Sequence, residues 1–195
     1  MTEASATPSR ARRHDPDRRD RIIDVTLDVV AELGVAGTTH RAIARAADVP
    51  LGSMTYHFAN MDELLALAFT RLANRIADRF EERLGQAHTA QQVRDAVVEL
   101  IMVDLADSPS EIVLTYELYT LAARRPALRS VTQAWMARSR TALQHHLDPQ
   151  TARYIDALME GISVHRALDP EPMGISDVRD AVDRVLRGSP STSPR

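Results

Sequence analysis

From Thr39 to His57 the chain reads THRAIARAADVPLGSMTYH, and these side chains suit one kind of chemistry, hydrogen bonding to a polyanion. The hydroxyls of Ser53 and Thr55, the phenol of Tyr56 and the imidazole of His57 can meet phosphates and base edges, with Leu51 as an apolar neighbour. Gly52 would let the backbone come close to a duplex. Thr39, at a helix N-terminus, places its hydroxyl and free amides where a phosphate can bind. Spacing alone leaves two readings open. These could be two core helices packed through Ala42, Ala46 and Ala47, or a pair whose second member enters a groove.

A second set of residues could hold a small molecule. Tyr116, Tyr119 and Trp135 fall on adjacent expected helices in a chain with only three Phe, four Tyr and one Trp. With Phe69, Leu72, Met102, Met136, Met159 and His165 they make a candidate pocket lining of flexible and aromatic groups with a few polar tips. Each alone reads as core before it reads as a ligand contact. No charged residue stands out as a counter-ion, so the expected effector is mostly apolar. His145 and His146 are adjacent at a helix end and point in different directions, which suits a polar C-terminal turn rather than a metal site. The sequence carries no HExxH, no Gly-rich phosphate loop after a strand and no Gly-x-Ser-x-Gly elbow, so neither catalysis nor a cofactor is expected. His57 and Asp62 read as polar groups near helix ends.

Apolar periodicity places these residues on helices throughout, with no convincing strand. Asp15 and Pro16 open a first helix with the stripe Ile22, Ile23, Thr26, Leu27, Val30 and Leu33, ending at Gly34. Thr39 caps a second helix through Ala47, and Asp48 sits where left-handed geometry is wanted. Pro50 opens a third helix through Phe58, and Asp62 favours the start of a long fourth one carrying Leu65, Phe69, Leu72, Ile76 and Phe80. Thr89 with Gln92 forms a capping box, and Ser108, Pro109 and Glu111 combine cap, first-turn proline and acid. Helices starting near Pro126, Asp148 and Ile175 bring the expected total to about nine. No repeat at a fixed period suggests a solenoid.

Composition sets the outer bounds. The 195 residues, 44% hydrophobic and 26% charged, provide for real cores, and the lack of cysteine rules out disulfides and thiolate metal sites. No apolar run approaches a membrane span and the N-terminus is too polar for a signal peptide, which points to the cytoplasm with no membrane partner. A net charge of −3 argues against indiscriminate nucleic-acid binding. Against that balance, residues 10 to 21 carry six Arg and three Asp, a local basic arm that is either solvated or in contact with phosphates.

The stretch TTHRAIARAADVPLGSMTYHFANMDELL resembles the DNA-binding segment of the TetR (tetracycline repressor) family of bacterial transcription regulators. The matching positions are Thr39, Ile43, Ala44, Gly52, His57, Phe58 and the run Asp62, Glu63, Leu64, Leu65. YELYTLAARRPALRSV is similar to the family's sixth and seventh helices. The resemblance implies an all-α protein with an N-terminal helix-turn-helix followed by a helical ligand-binding and dimerisation domain. The boundaries become a basic arm over 1–15, the DNA-binding unit over 16–61, the effector and dimer domain over 62–187 and a polar tail over 188–195. It also implies a homodimeric repressor that binds a palindromic double-stranded DNA operator and is released by a small-molecule effector. The expected dimer surface is Tyr154, Leu158, Gly161, Ile162, Val178, Val182 and Leu186; for these residues the alternative is intramolecular core.

The chain also departs from the family pattern. Thr55 stands where Tyr is common, Asp48 where Gly is, Pro50 where a polar cap is, and Met61 where Lys is. Losing that Lys and Tyr removes two phosphate contacts, which Tyr56 offsets in part, and shifts the expected load to Arg41, Arg45 and the basic arm. The alternative reading is a helical ligand-binding or interaction protein that no longer binds specific DNA.

Overall fold

The computed structural model describes residues 15–104 and 109–188, and among them the regular structure is helical, with no strand. Helix α1 (Arg18–Gly37) bends at Gly34, the stop signal read in the sequence, where φ is 66° and ψ 169°. Asp17 precedes it without a side-chain cap, while the Asp15 carboxylate accepts the Asp17 N–H at 3.2 Å and pairs with Arg21 at 2.6 Å. Asp15 therefore braces the first turn rather than capping it. Helices α2 (His40–Ala46) and α3 (Gly52–His57) follow, with Asp48 between them at φ 51°, the left-handed geometry expected there.

Helix α4 (Met61–Gly85) is the longest and is capped by Asn60, whose side chain accepts the Glu63 N–H at 2.9 Å. Helix α5 (Ala90–Glu99) starts with the Thr89 and Gln92 capping box and runs into a π-helical turn, Leu100–Asp104. Helix α6 (Pro109–Arg124) comes next, its expected Ser108 cap lying outside the described residues. Helices α7 (Pro126–Gln144), α8 (Pro149–Leu168) and α9 (Ile175–Arg187) complete the fold.

Two apolar clusters hold these elements. One joins α1, α2 and α3 to the first half of α4 and to Leu118, Leu121 and Leu128 of α6 and α7. The other gathers the end of α4 with α5, α8, α9 and the end of α7 around Leu84, Ile101, Leu143 and Ile155. Helix α4 contributes Leu65, Phe69 and Leu72 to the first and Phe80 and Leu84 to the second, so one rigid element passes through both. Burying apolar surface on both halves of one helix couples their positions, because close-packed interiors transmit displacement.

Candidate DNA-reading face and effector cavity

The α2–α3 pair is fixed by contacts beneath it. Thr39 accepts the Ala42 N–H at 3.1 Å, leaving its own O–H free to donate outward. Arg21 of α1 donates to the Ala47 carbonyl at 3.3 Å, and the Arg19 guanidinium lies 5.5 Å from the Phe58 ring centre. Phe58 is buried and closes α3, while His57 and Tyr56 meet edge to face at 4.8 Å.

Helix α3 thus has two sides. Ser53, Met54, His57 and Phe58 turn inward, and Leu51, Gly52, Thr55 and Tyr56 turn outward, Tyr56 with 83% of its surface exposed. This revises the expected contact set: Ser53 is buried beside Met54, and His57 is only half exposed, because a helix of this length offers one outward stripe at i, i+1, i+4 and i+5. Arg41 and Arg45 of α2 are exposed and make no ion pair among the described residues. The basic arm divides: Arg18, Arg19 and Arg21 belong to α1 and brace the fold, while Arg10, Arg12 and Arg13 lie outside the described residues.

A cavity with an open mouth lies among α4, the π-helical turn, α6, α7 and α8. Of the residues expected to line it, Tyr116, Trp135, Met136 and Met159 do so. Tyr119 stacks on Trp135 at 5.9 Å between ring centres and donates its hydroxyl to Glu160 at 2.7 Å. Phe69 and Leu72 do not line it; both are fully buried in the other cluster, a turn or more before the wall formed by Ile76 and Phe80. Met102 packs against the second cluster and His165 is exposed near the far end of α8, so neither reaches the cavity.

The expectation that no charged group would stand out is overturned. Three carboxylates reach the lining. Glu111 is held by Arg79 at 2.5 Å and Arg75 at 3.3 Å, and Asp156 by Ser139 at 2.7 Å and Arg140 at 2.8 Å. Among the described residues, Glu160 accepts a hydrogen bond from the Tyr119 hydroxyl alone and makes no ion pair. Burial pushes its carboxyl above the ordinary range, the Asp156 charge adds to this, and the Tyr119 hydrogen bond partly opposes it. Burial likewise raises the Tyr119 phenol, with Glu160 contributing. The Tyr116 hydroxyl is buried without a partner. One signal for these acids was present in the sequence: Asp156 and Glu160 are like charges at i, i+4 on an otherwise apolar stretch, a costly spacing that a structural helix has reason to avoid.

On α8 and α9 the expected dimer residues separate in the same way. Ile162, Val178 and Val182 are buried within the chain, because the apolar stripe of α9 faces α5 and α8 rather than outward. Leu158 and Leu186 are half-buried against the same cluster. Tyr154, 54% exposed, and Gly161 remain on the outer face of α8. His146 Nε2 lies 3.1 Å from the Leu84 carbonyl oxygen, and among the described residues no group of three His, Asp or Glu is arranged to hold a metal. No described helix is long and apolar enough to cross a membrane.

Comparison with known proteins matches residues 22–68 to "Bacterial regulatory proteins, tetR family" and residues 84–188 to "Tetracyclin repressor-like, C-terminal domain". The transcriptional regulator SCO7518 of Streptomyces coelicolor is similar in structure, with a TM-score of 0.83 and 50% identity over 87% of this chain and 98% of that one. The multidrug binding protein EbrR, in a crystal structure with ethidium, is 37% identical over 89% of this chain and 99% of its own, with a TM-score of 0.71. The transcriptional regulator PksA of Bacillus subtilis is 25% identical over 87% of this chain and 86% of its own.

Proposed function

The chain belongs to the TetR family of bacterial regulatory proteins, and from that premise we propose that it is a homodimeric repressor, released from a palindromic operator by a small, largely apolar effector. It is a DNA-binding transcriptional regulator and not an enzyme. The observation that carries the reading is the outer stripe of α3. Leu51, Gly52, Thr55 and Tyr56 stand clear of the core, flanked by the exposed guanidinium groups of Arg41 and Arg45 and the spare Thr39 hydroxyl. A helix that keeps an aromatic and a leucine in water gains nothing for folding, whereas a major groove would take up both. A two-fold pair presents two such helices about one helical turn apart, or somewhat more, so the operator repeats that symmetry.

The cavity is the proposed effector site, in the cytoplasm where the operator is. Its aromatic wall of Trp135 and Tyr116 suits flat molecules, and EbrR was crystallised with the flat dyes ethidium and proflavin. Arg75 and Arg79 on α4 touch the cavity acid Glu111, and Arg71, one turn earlier, holds Asp24 of α1 at 2.9 Å and Asp20 at 2.5 Å. An effector that fits better when α4 is displaced therefore also moves α1 and the spacing of the two recognition helices. The test is binding of the purified protein to its own upstream intergenic DNA across a salt series with unrelated competitor DNA. Saturable binding that survives the competitor is expected; binding indifferent to sequence would leave only a helical ligand-binding protein.

A further inference from the structure

We propose that the cavity is built for an organic cation, a flat aromatic molecule with one positive charge, and that Glu160 supplies the counter-charge. The inference rests on the reading of this cavity as the effector site and adds the ligand's charge to it. Three carboxylates border the space, and two are already neutralised within the chain, Glu111 by Arg79 and Arg75 and Asp156 by Arg140. Glu160 is not. Among the described residues its one hydrogen bond comes from a neutral phenol, and Arg140 of α7 is committed to Asp156.

A carboxylate half withdrawn from water with no cation paired to it among the described residues carries a desolvation cost that no ion pair within the chain offsets. A leucine or glutamine would serve the α8 core as well. The cost has a use if a ligand brings the missing charge into the same low-dielectric space, where one ion pair discriminates strongly between charged and uncharged guests. The rest of the wall agrees with this. Trp135, stacked on Tyr119, offers a π face to a cation, Met136 and Met159 adapt to shape, and the buried Tyr116 hydroxyl lacks the partner that a ligand's polar atom would be.

The experiment compares acridine with its N-methylated cation, two dyes of nearly equal shape, at mildly alkaline pH where acridine is uncharged. Trp135 is the single tryptophan of the chain and lines the cavity, so quenching of its fluorescence reads binding directly, with no operator needed. The wild-type protein should bind the methylated cation about tenfold or more tighter than acridine, and Glu160→Gln should bring that ratio close to one. A cooperative thermal melt of the variant reports that it is folded. Equal affinity for the two dyes in the wild type, a preference that survives Glu160→Gln, or no binding of either dye overturns the proposal. Operator binding measured in parallel separates the two readings: retained DNA binding with no cation preference removes only the charge assignment, and lost DNA binding with the preference intact removes only the repressor.

Discussion

Glu117 Oε1 stands 3.0 Å from where a Cβ on Gly34 would lie, so a side chain of α6 reaches the last turn of α1 at its glycine. The backbone there has φ 66° and ψ 169°, a region essentially closed to other residues. The same helix α6 turns Thr115 and Tyr116 toward the cavity, so its two sides touch the DNA-binding unit and the cavity wall.

Gly34→Ala is expected to destabilise the protein by about 1–3 kcal/mol through backbone strain, with the Glu117 contact adding to it. Thermal unfolding of the variant checks this, and a midpoint equal to that of the wild type would show that the turn can relax without cost.

Asp48 gives the opposite sign. It holds φ 51° between α2 and α3, a left-handed position tolerated by Asp but free of strain only for Gly. Asp48→Gly should therefore stabilise the fold by a few tenths to about 1 kcal/mol, read as a higher denaturation midpoint, the gain being limited by the greater freedom of Gly in the unfolded chain. A lower midpoint would mean that the Asp48 side chain contributes to the turn beyond its conformation.

These two positions illustrate what was legible in the sequence. Gly34, Asp48, Thr39 and the Thr89–Gln92 box are local devices whose residue types state their geometry, and the helices they delimit follow. The outer stripe of α3 was readable only in part, because a six-residue helix leaves too few positions for periodicity to separate Ser53 from Thr55. The dimer residues on α9 were misplaced for a related reason. An amphipathic stripe shows that a face is covered but not whether α5 or a second copy covers it. Glu160 was missed despite its i, i+4 spacing from Asp156, because acids on a helix read as solvated until tertiary contacts cover them, whereas Trp135 and Tyr116 were found because aromatic residues are scarce here.

The half-buried acid Glu160 has a signature in the ligand-free protein. The folded state raises the Glu160 carboxyl above its ordinary range, chiefly through burial. An acid whose folded pKa is raised contributes stability that is present below the unfolded value and lost as pH rises through the folded one. Glu160→Gln stays neutral throughout, so its unfolding midpoint should lie near or below that of the wild type in acid and gain on it as pH climbs past the folded pKa. Melts over a pH series test this, and a difference between the two proteins that stays constant with pH would refute it.

Arg41 separates phosphate contact from fold. It is exposed on α2 with no ion pair among the described residues, so Arg41→Ala should leave stability within about 0.5 kcal/mol of the wild type. Operator affinity should drop, and the slope of log affinity against log salt should become shallower by about one unit, the mark of one lost phosphate contact. Unchanged affinity and slope would remove Arg41 from the DNA-binding set.

Gly52 makes the sharpest case for a partner outside the chain. A Cβ built there meets nothing within 4 Å, and its φ lies outside the region that demands glycine, so the fold has no use for the missing side chain. Helix propensity favours replacement, and Gly52→Ala should leave the protein as stable or more stable by up to about 1 kcal/mol. If the α3 backbone approaches the duplex at this point, the added methyl group occupies space that DNA needs, and operator affinity should fall by about tenfold, or 1.4 kcal/mol. Denaturation and operator titration of the same preparation read both quantities. A variant that is more stable and binds the operator undiminished would place the closest approach elsewhere on the outer stripe, toward Thr55 and Tyr56.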